Sequence, residues 1–193
     1  MKKWLIIVVI AVIAGFTLMS SYNGLVRAEE QINSVWANVE TEYQRRAELI
    51  PNIVKTVQAQ ANFERETLTA VVDARSKVSQ TKIDLANMTQ EQLNQFQQNQ
   101  GEVSSALSRL LVTVERYPEL RANDGFLNLQ AQLEGTENRI KKARNDFNAV
   151  AKEYNQKVRQ FPTKLVAMLF GFKDKPYFKA QAGSENAPVV NFN

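Results

Sequence analysis

An uncharged apolar run occupies residues 4–19, Trp-Leu-Ile-Ile-Val-Val-Ile-Ala-Val-Ile-Ala-Gly-Phe-Thr-Leu-Met, directly behind Lys2 and Lys3. Nothing like it recurs, so whatever the rest of the chain folds into must hang from it. A helix needs about 20 apolar residues to cross the hydrocarbon core. The run is slightly short, but Ser20, Ser21 and Tyr22 extend it into the interface, and Trp4 and Tyr22 bracket it as interfacial aromatics. A cleaved signal peptide also starts with lysines and a short apolar run. Leu18-Met19-Ser20 and Met19-Ser20-Ser21 are poor small-x-small cleavage sites, however. The reading is an uncleaved membrane anchor over residues 1–21. Lys2 and Lys3, held on the cytoplasmic side, put the remainder of the chain outside the cytoplasm, with only Arg27 opposing them nearby.

The other residues exclude several classes of chemistry. The chain of 193 residues contains neither Cys nor His. That removes thiolate metal sites and cysteine nucleophiles, and with them the commonest general base and the commonest metal ligand. Neither a Ser-His-Asp triad nor a Glu-x-x-His di-iron site can be built. The 24 basic and 20 acidic residues are interspersed, giving a net charge of +4. That mixture describes solvated helix faces, and no basic block of nucleic-acid type appears. There is also no Gly-rich nucleotide motif, and no cofactor is expected.

Helical periodicity then organises the body. Leu25, Ile32, Val35, Val39 and Tyr43 recur at spacings of three, four and seven, with Trp36 beside them. Pro51 disfavours helical geometry at Ile50 and suits a first turn, which predicts a turn over residues 48–50 and a second helix from Pro51. The alternative is one long kinked helix. The second helix carries Val54, Val57, Ala61, Leu68, Val71 and Val78, and residues 80–88 read as a loop. Thr89-Gln90-Glu91-Gln92 fits a capping box. The third helix shows Phe96, Val103, Leu107, Leu110, Val114 and Tyr117, and Pro118 closes it. Asn123 can cap a fourth helix with the cleanest stripe: Phe126, Leu129, Leu133, Ile140, Ala143, Phe147, Val150, Tyr154, Val158, Phe161. The expected fold is therefore all-α, an N-terminal transmembrane helix followed by an antiparallel up-down-up-down four-helix bundle over residues 22–162, coiled-coil-like in its seams. An even number of crossings returns the chain to the membrane. Residues 163–179, with Leu165 to Phe172 between Lys164, Lys173, Lys175 and Lys179, read either as a headgroup-seeking segment or as packing on the foot of the bundle. Residues 180–193 have no period and read as a disordered tail.

Charged residues on or beside apolar stripes are the candidates for a site. Glu64 and Arg75 lie eleven apart on the second helix; Glu137 and Arg144 lie seven apart on the fourth. Burying charges costs several kcal/mol per ion unless they pair well, so the favoured reading is a core ion-pair network of these four that fixes helix register. A pocket for an anionic or zwitterionic ligand and snorkelling to solvent are the alternatives. Glu64 with Glu137 as an acid–base pair lacks any accompanying nucleophile or metal ligand set.

Several stretches resemble the LemA family of bacterial membrane proteins. They are Tyr22-Asn23-x-Leu25-Val26 and Trp36, then Arg45-Arg46-x-x-Leu49-Ile50-Pro51-Asn52 and Ala74-Arg75. Further on come Tyr117-Pro118-x-Leu120, Thr136-Glu137-Asn138-x-Ile140, Ala143-Arg144, Tyr154-Asn155 and Phe161-Pro162. The likeness runs over roughly residues 20 to 178, and its most specific piece is the Arg-Arg-x-x-Leu-Ile-Pro-Asn stretch. It implies a bacterial single-span protein with an antiparallel helical bundle and no enzymatic activity to carry over. Many members have His where this chain has Phe63, so no metal role transfers to that position. Some descriptions of the family place the N-terminus outside the cell, opposite to the charge argument above. The expected function is a non-catalytic scaffold or adaptor in the cytoplasmic (inner) membrane. It would be in contact with membrane lipid and would present helix faces to envelope protein partners, not to nucleic acid. An extracytoplasmic sensor or ligand-binding bundle is the alternative.

Overall fold

The structure, a computed structural model, describes residues 2–59, 63–80 and 83–180. Their regular secondary structure is all helical, with no strand among them. The helices are α1 (Lys2–Gln58), α2 (Arg65–Ser79), α3 (Gln90–Val114), α4 (Pro118–Arg121), α5 (Asp124–Arg159) and α6 (Thr163–Phe170), with a single 3-10 turn at Leu85–Asn87 before α3. Ala61, Thr81 and Lys82, and residues 181–193 of the expected tail, lie outside the described residues.

The expected turn at residues 48–50 does not exist. The anchor, the first expected helix and residues 51–58 of the second are one helix of 57 residues with Pro51 inside it, about 85 Å long at 1.5 Å per residue. The rest of the expected second helix is separate, as α2 from Arg65. The reason that α1 runs through Pro51 is visible in the buried stripe. Leu25, Ala28, Ile32, Trp36, Val39, Tyr43, Ile50, Ile53 and Val57 are all buried, and their three–four spacing passes through Pro51 without a change of phase. Breaking the helix there would have cost the burial of Ile53, Val54 and Val57. The loss at Pro51 is local, because a proline removes the hydrogen bond to the carbonyl four residues back and crowds that same carbonyl. That carbonyl is Ala47, and Arg75 on α2 donates its Nε to it at 2.9 Å.

The helix ends follow their local chemistry. Thr89 accepts from the backbone of Gln92 at 3.2 Å and donates its own N–H to the Gln92 side chain at 2.9 Å, a complete capping box. Asn123 accepts from Phe126 N–H at 3.0 Å to start α5. Gly171 ends α6 with φ +79°, a left-handed cap that a side chain would strain. It turns the chain back along the body.

α1 and α5 form the principal helix pair. They run antiparallel: Glu137 and Arg139 on α5 meet Arg46 and Glu42 on α1, and further along Phe147 meets Trp36. α2 and α3 form a second antiparallel pair, with Glu64 against Arg116 at one end and Lys77 against Glu102 nearer the other. The apolar interior falls into two clusters. The one nearer the anchor holds Trp36, Tyr43, Phe96, Phe147 and Phe178; the distal one holds Ile53, Val71, Leu110 and Phe126. Trp36 alone meets three phenylalanines, at 5.4 Å (Phe147), 5.9 Å (Phe96) and 6.1 Å (Phe178) between ring centroids. Phe147 is wholly buried, and truncating such a residue costs about 3–5 kcal/mol.

The first part of α1 packs against nothing. Trp4, Ile10, Phe16 and the other apolar residues up to Met19 are exposed, and α1 is the one described helix long and apolar enough to cross a membrane. The chain returns to the end of that stretch: α6 packs on α1 and α5, and Phe170 and Phe172 lie 4.8 and 5.9 Å from Tyr22. Phe161, the last residue of the expected α5 stripe, is exposed and lies beyond the helix.

Candidate functional site

A polar layer separates the two apolar clusters. Arg46 falls in phase with Tyr43 and Ile50 on the α1 stripe, so its side chain enters the core, where it is only 2 % exposed. Its guanidinium donates to Glu137 Oε1 at 2.7 Å, Ser104 Oγ at 2.8 Å and the Gln100 carbonyl at 3.1 Å, and also to the Gln100 side chain. It lies over the Tyr43 ring, 5.2 Å from the centroid. Burial pushes the Tyr43 hydroxyl above the usual phenol range, against the downward pull of Arg144 and Arg46. One buried cation thus ties α1, α3 and α5 at one height, a device that fixes register. An open cleft of about 1060 Å³ borders this layer, with Gly101, Glu102, Arg109 and Arg144 among its walls.

The four candidate residues have separate partners, and among the described residues no ion pair joins any two of them. Glu64 precedes α2 and pairs with Arg116 at 2.8 Å, both half-exposed. Arg75 serves the Ala47 carbonyl. Glu137 holds Arg46. Arg144 lies over the Phe178 ring at 4.9 Å and donates to the Lys179 carbonyl at 3.1 Å. Glu64 and Glu137 stand at different heights, as Arg116 and Gln100 on their α3 side show, about four helical turns apart. Among the described residues no three carboxylates cluster in a way that could hold a metal ion. In the sequence Arg46 stood out as part of the Arg-Arg-x-x-Leu-Ile-Pro-Asn stretch and not as a member of the ion-pair network. Its stripe position is the signal that marks it as buried.

A second polar constellation follows α6. Phe172 meets Tyr22 and Phe178 meets Trp36, fourteen residues apart on α1, or about 21 Å. Six residues span that distance only when nearly fully extended. This strap, residues 172–179, runs between α3 and α5, and four side-chain amides each grip one of its residues at both backbone groups. Asn155 takes the N–H and carbonyl of Lys175, both at 2.8 Å. Gln90 takes those of Tyr177 at 3.2 and 3.0 Å, Asn148 those of Phe178 at 2.9 Å each, and Gln97 those of Lys179 at 3.2 and 2.9 Å. The gripping residues are seven apart on each helix, so each pair shares one helix face. Two strap side chains are also seated. Phe178 lies among Trp36, Phe147 and Arg144. The Lys175 ammonium is buried, donating to the Leu85 carbonyl at 3.1 Å with Glu29 at 3.5 Å. Lys175 therefore does not flank an apolar run as its sequence position suggested. Beside it, the buried Tyr154 hydroxyl has no hydrogen-bond partner among the described residues. Burial, reinforced by Glu29 and Asp174, pushes its pKa far up.

A sequence profile of the LemA family matches residues 35–192, which takes in the polar layer and the whole strap. The chain belongs to the LemA family. Relatives include magnetosome protein MamQ 2 of Paramagnetospirillum magneticum, 28% identical over 204 residues, covering 96% of this chain and 75% of the relative. Magnetosome protein MamQ of Magnetospirillum gryphiswaldense is 28% identical over 191 residues, covering 90% and 70%. Protein LemA of Metamycoplasma hominis is 23% identical over 165 residues, covering 86% and 72%. Membership of the LemA family and the single apolar N-terminal helix are together consistent with a single-pass membrane protein.

Proposed function

We propose that the protein is a non-catalytic, membrane-tethered scaffold whose helical body presents polar faces to protein partners in the bacterial envelope. The observation that carries this reading is the continuity of α1. The exposed apolar stretch and the main stave of the body are one helix, so the body is held at a set height and angle to the bilayer. A rigid mount serves presentation, whereas a flexible linker would serve reach. The buried polar groups support the same reading. Arg46, Glu137 and Arg75 are engaged in holding helices in register.

On this reading residues 1–21 are the anchor in the cytoplasmic membrane, and residues 22–162 a four-helix assembly built on the α1–α5 and α2–α3 pairs. Residues 163–179 sit against lipid through α6 and against the body through the strap. Lys2 and Lys3 stay in the cytoplasm and the body lies outside it. Crosslinking from exposed residues of α2 and α3 in native membranes tests the role. The expected product is a defined envelope protein captured at defined positions, lost when those positions are substituted. Hydrolase or transferase turnover by the purified chain would overturn it. Protease access in intact spheroplasts reads the orientation.

The open cleft beside the polar layer, lined by Lys77, Arg109 and Arg144 together with Asp73 and Glu102, favours a sensor or ligand-binding bundle as a second reading. A thermal-shift screen of zwitterionic and anionic small molecules tests it; no stabilising compound would remove it.

A further inference from the structure

The α3–α5 groove recognises a peptide strand, and the way it does so has a consequence beyond tethering. Its four amides engage main-chain N–H and carbonyl groups, which any extended chain carries. Main-chain hydrogen bonds of this kind give affinity, and side-chain pockets give selectivity. The pockets here are two. One takes an ammonium group at Glu29 and the Leu85 carbonyl; the other takes an aromatic ring between Trp36 and Phe147 beneath Arg144. They are filled by residues three apart, Lys175 and Phe178. On α5, Asn155 and Asn148 are seven residues apart, about 10 Å, which is the length of three extended residues. The groove is therefore matched in register to a Lys-x-x-Phe strand.

We propose that this groove is a peptide-binding site that accepts the Lys175–Lys179 strand of a second copy of the chain in place of its own. Only the strap's own sequence is shown to fit both pockets and the amide spacing. The strap joins the body through α6, a helix with just two buried residues, Val166 and Ala167, and through Gly171, whose left-handed cap is a natural pivot. Exchange of an identical element between copies needs no new contact type, which makes it a low-cost route to association. Copies held by the same anchor present strap and groove at the same height, so each encounter within the membrane brings the two into register at high effective concentration. Lys179 and Ala180, at the end of the strap, line the open cleft. This inference rests on the groove contacts, with the tether setting only how often copies meet. It is read on the chain itself, whereas the scaffold is read on other proteins, so either can fail alone.

Two full-length copies with different tags are co-expressed in native membranes, the first with Lys179 replaced by a diazirine-bearing lysine analogue. After irradiation, the second copy is expected to carry the crosslink on α3 or α5 near Gln97 and Arg144. Asn148→Ala with Gln97→Ala in the second copy alone is expected to lower that product at least fivefold; the same pair in the first copy is expected to preserve or raise it. A synthetic peptide of residues 173–180, added in excess to unsubstituted chains, is expected to suppress the product as well, which separates loss of the groove from loss of folding. Crosslinks confined to the first copy overturn the proposal. So does a product between copies that persists through both the acceptor substitutions and the peptide, or capture of a different protein at the same position.

Discussion

Pro51 and Arg75 together show why a rule read from single residues misplaced an element boundary. A proline in a helix interior leaves one carbonyl without a donor and costs about 3 kcal/mol when nothing compensates. Here the orphan is the Ala47 carbonyl, and an arginine from the neighbouring helix takes the place of the missing N–H. The proline is legible in the sequence; its compensation comes from a residue 28 positions away and is not. The intact stripe through Ile50, Ile53 and Val57 was the available sign that the helix continues. Because a hydrogen bond from a charged donor is worth roughly 1.5–3 kcal/mol, Arg75→Ala is expected to lower unfolding free energy by about 2 kcal/mol in denaturant titration. In a Pro51→Ala background the peptide N–H returns, and the same substitution is expected to cost less than about 0.5 kcal/mol; equal costs in the two backgrounds would refute the compensation. The unpartnered Tyr154 hydroxyl gives a second case. Tyr154→Phe removes a polar group that gains nothing from burial, so the melting temperature at neutral pH is expected to hold or rise. Alkali is expected to separate the variants further. The folded tyrosine ionises well above the ordinary value of 10.0 because burial disfavours the phenolate, so above pH 10 the unfolded chain has released a proton that the folded chain keeps. Stability then falls as pH rises from 10. Tyr154→Phe is expected to flatten that fall in melts between pH 9 and 11.

Among the elements, the helices with local signals were legible and the strap was not. The Thr89 capping box and the Asn123 cap lie within four residues of what they satisfy, so the sequence displays both partners together. The strap has no such signal, since its hydrogen bonds go to Gln90, Gln97, Asn148 and Asn155 on two distant helices. In sequence those four are ordinary polar residues, and the traces are the seven-residue spacing of each pair and, for Asn155, the Tyr154-Asn155 stretch of the family resemblance. Lys175 misled for the same reason: a lysine next to an apolar run reads as solvent-facing or lipid-facing, and here Glu29 and two main-chain carbonyls bury it. The four grips are not equivalent. Asn155 is 2 % exposed and also donates to the Tyr177 hydroxyl, so Asn155→Ala leaves buried partners unsatisfied and is expected to cost about 2 kcal/mol or more. Gln97 grips the exposed end of the strap, and Gln97→Ala is expected to stay within about 0.5 kcal/mol. Hydrogen exchange at the Lys175 amide is expected to speed up at least tenfold in the first variant and to stay near the native rate in the second.

On the scale of the molecule, the anchor, the polar layer and the foot act as one arrangement. The Arg46 layer fixes how far α5 has slid along α1, and that register decides where α6 lands. It lands beside Tyr22, at the point where the exposed apolar stretch of α1 ends. α6 does pack on the body, through Val166 and Ala167, but the same helix leaves Leu165, Met168, Leu169 and Phe170 exposed, Met168 by 72 % and Leu169 by 76 %. The two readings of this segment, packing on the foot or seeking headgroups, thus describe opposite faces of one helix. Water-exposed apolar side chains gathered at one spot usually mark a contact, and the spot here adjoins the one described helix long and apolar enough to span a bilayer. An amphipathic helix in that position sinks its apolar face about 5–10 Å into the headgroup boundary. Because the chain contains no cysteine, single labels can be placed without background. Met168→Cys and Leu127→Cys, each carrying an environment-sensitive fluorophore on the full chain in lipid vesicles, compare the foot with the far end of the body. The Met168 label is expected to shift to the blue and to be quenched by lipids carrying a quencher near the headgroup. The Leu127 label is expected to keep an aqueous spectrum and respond only to a water-soluble quencher. Aqueous spectra at both positions would mean that the foot stands clear of the bilayer, with its apolar face left for a protein to cover.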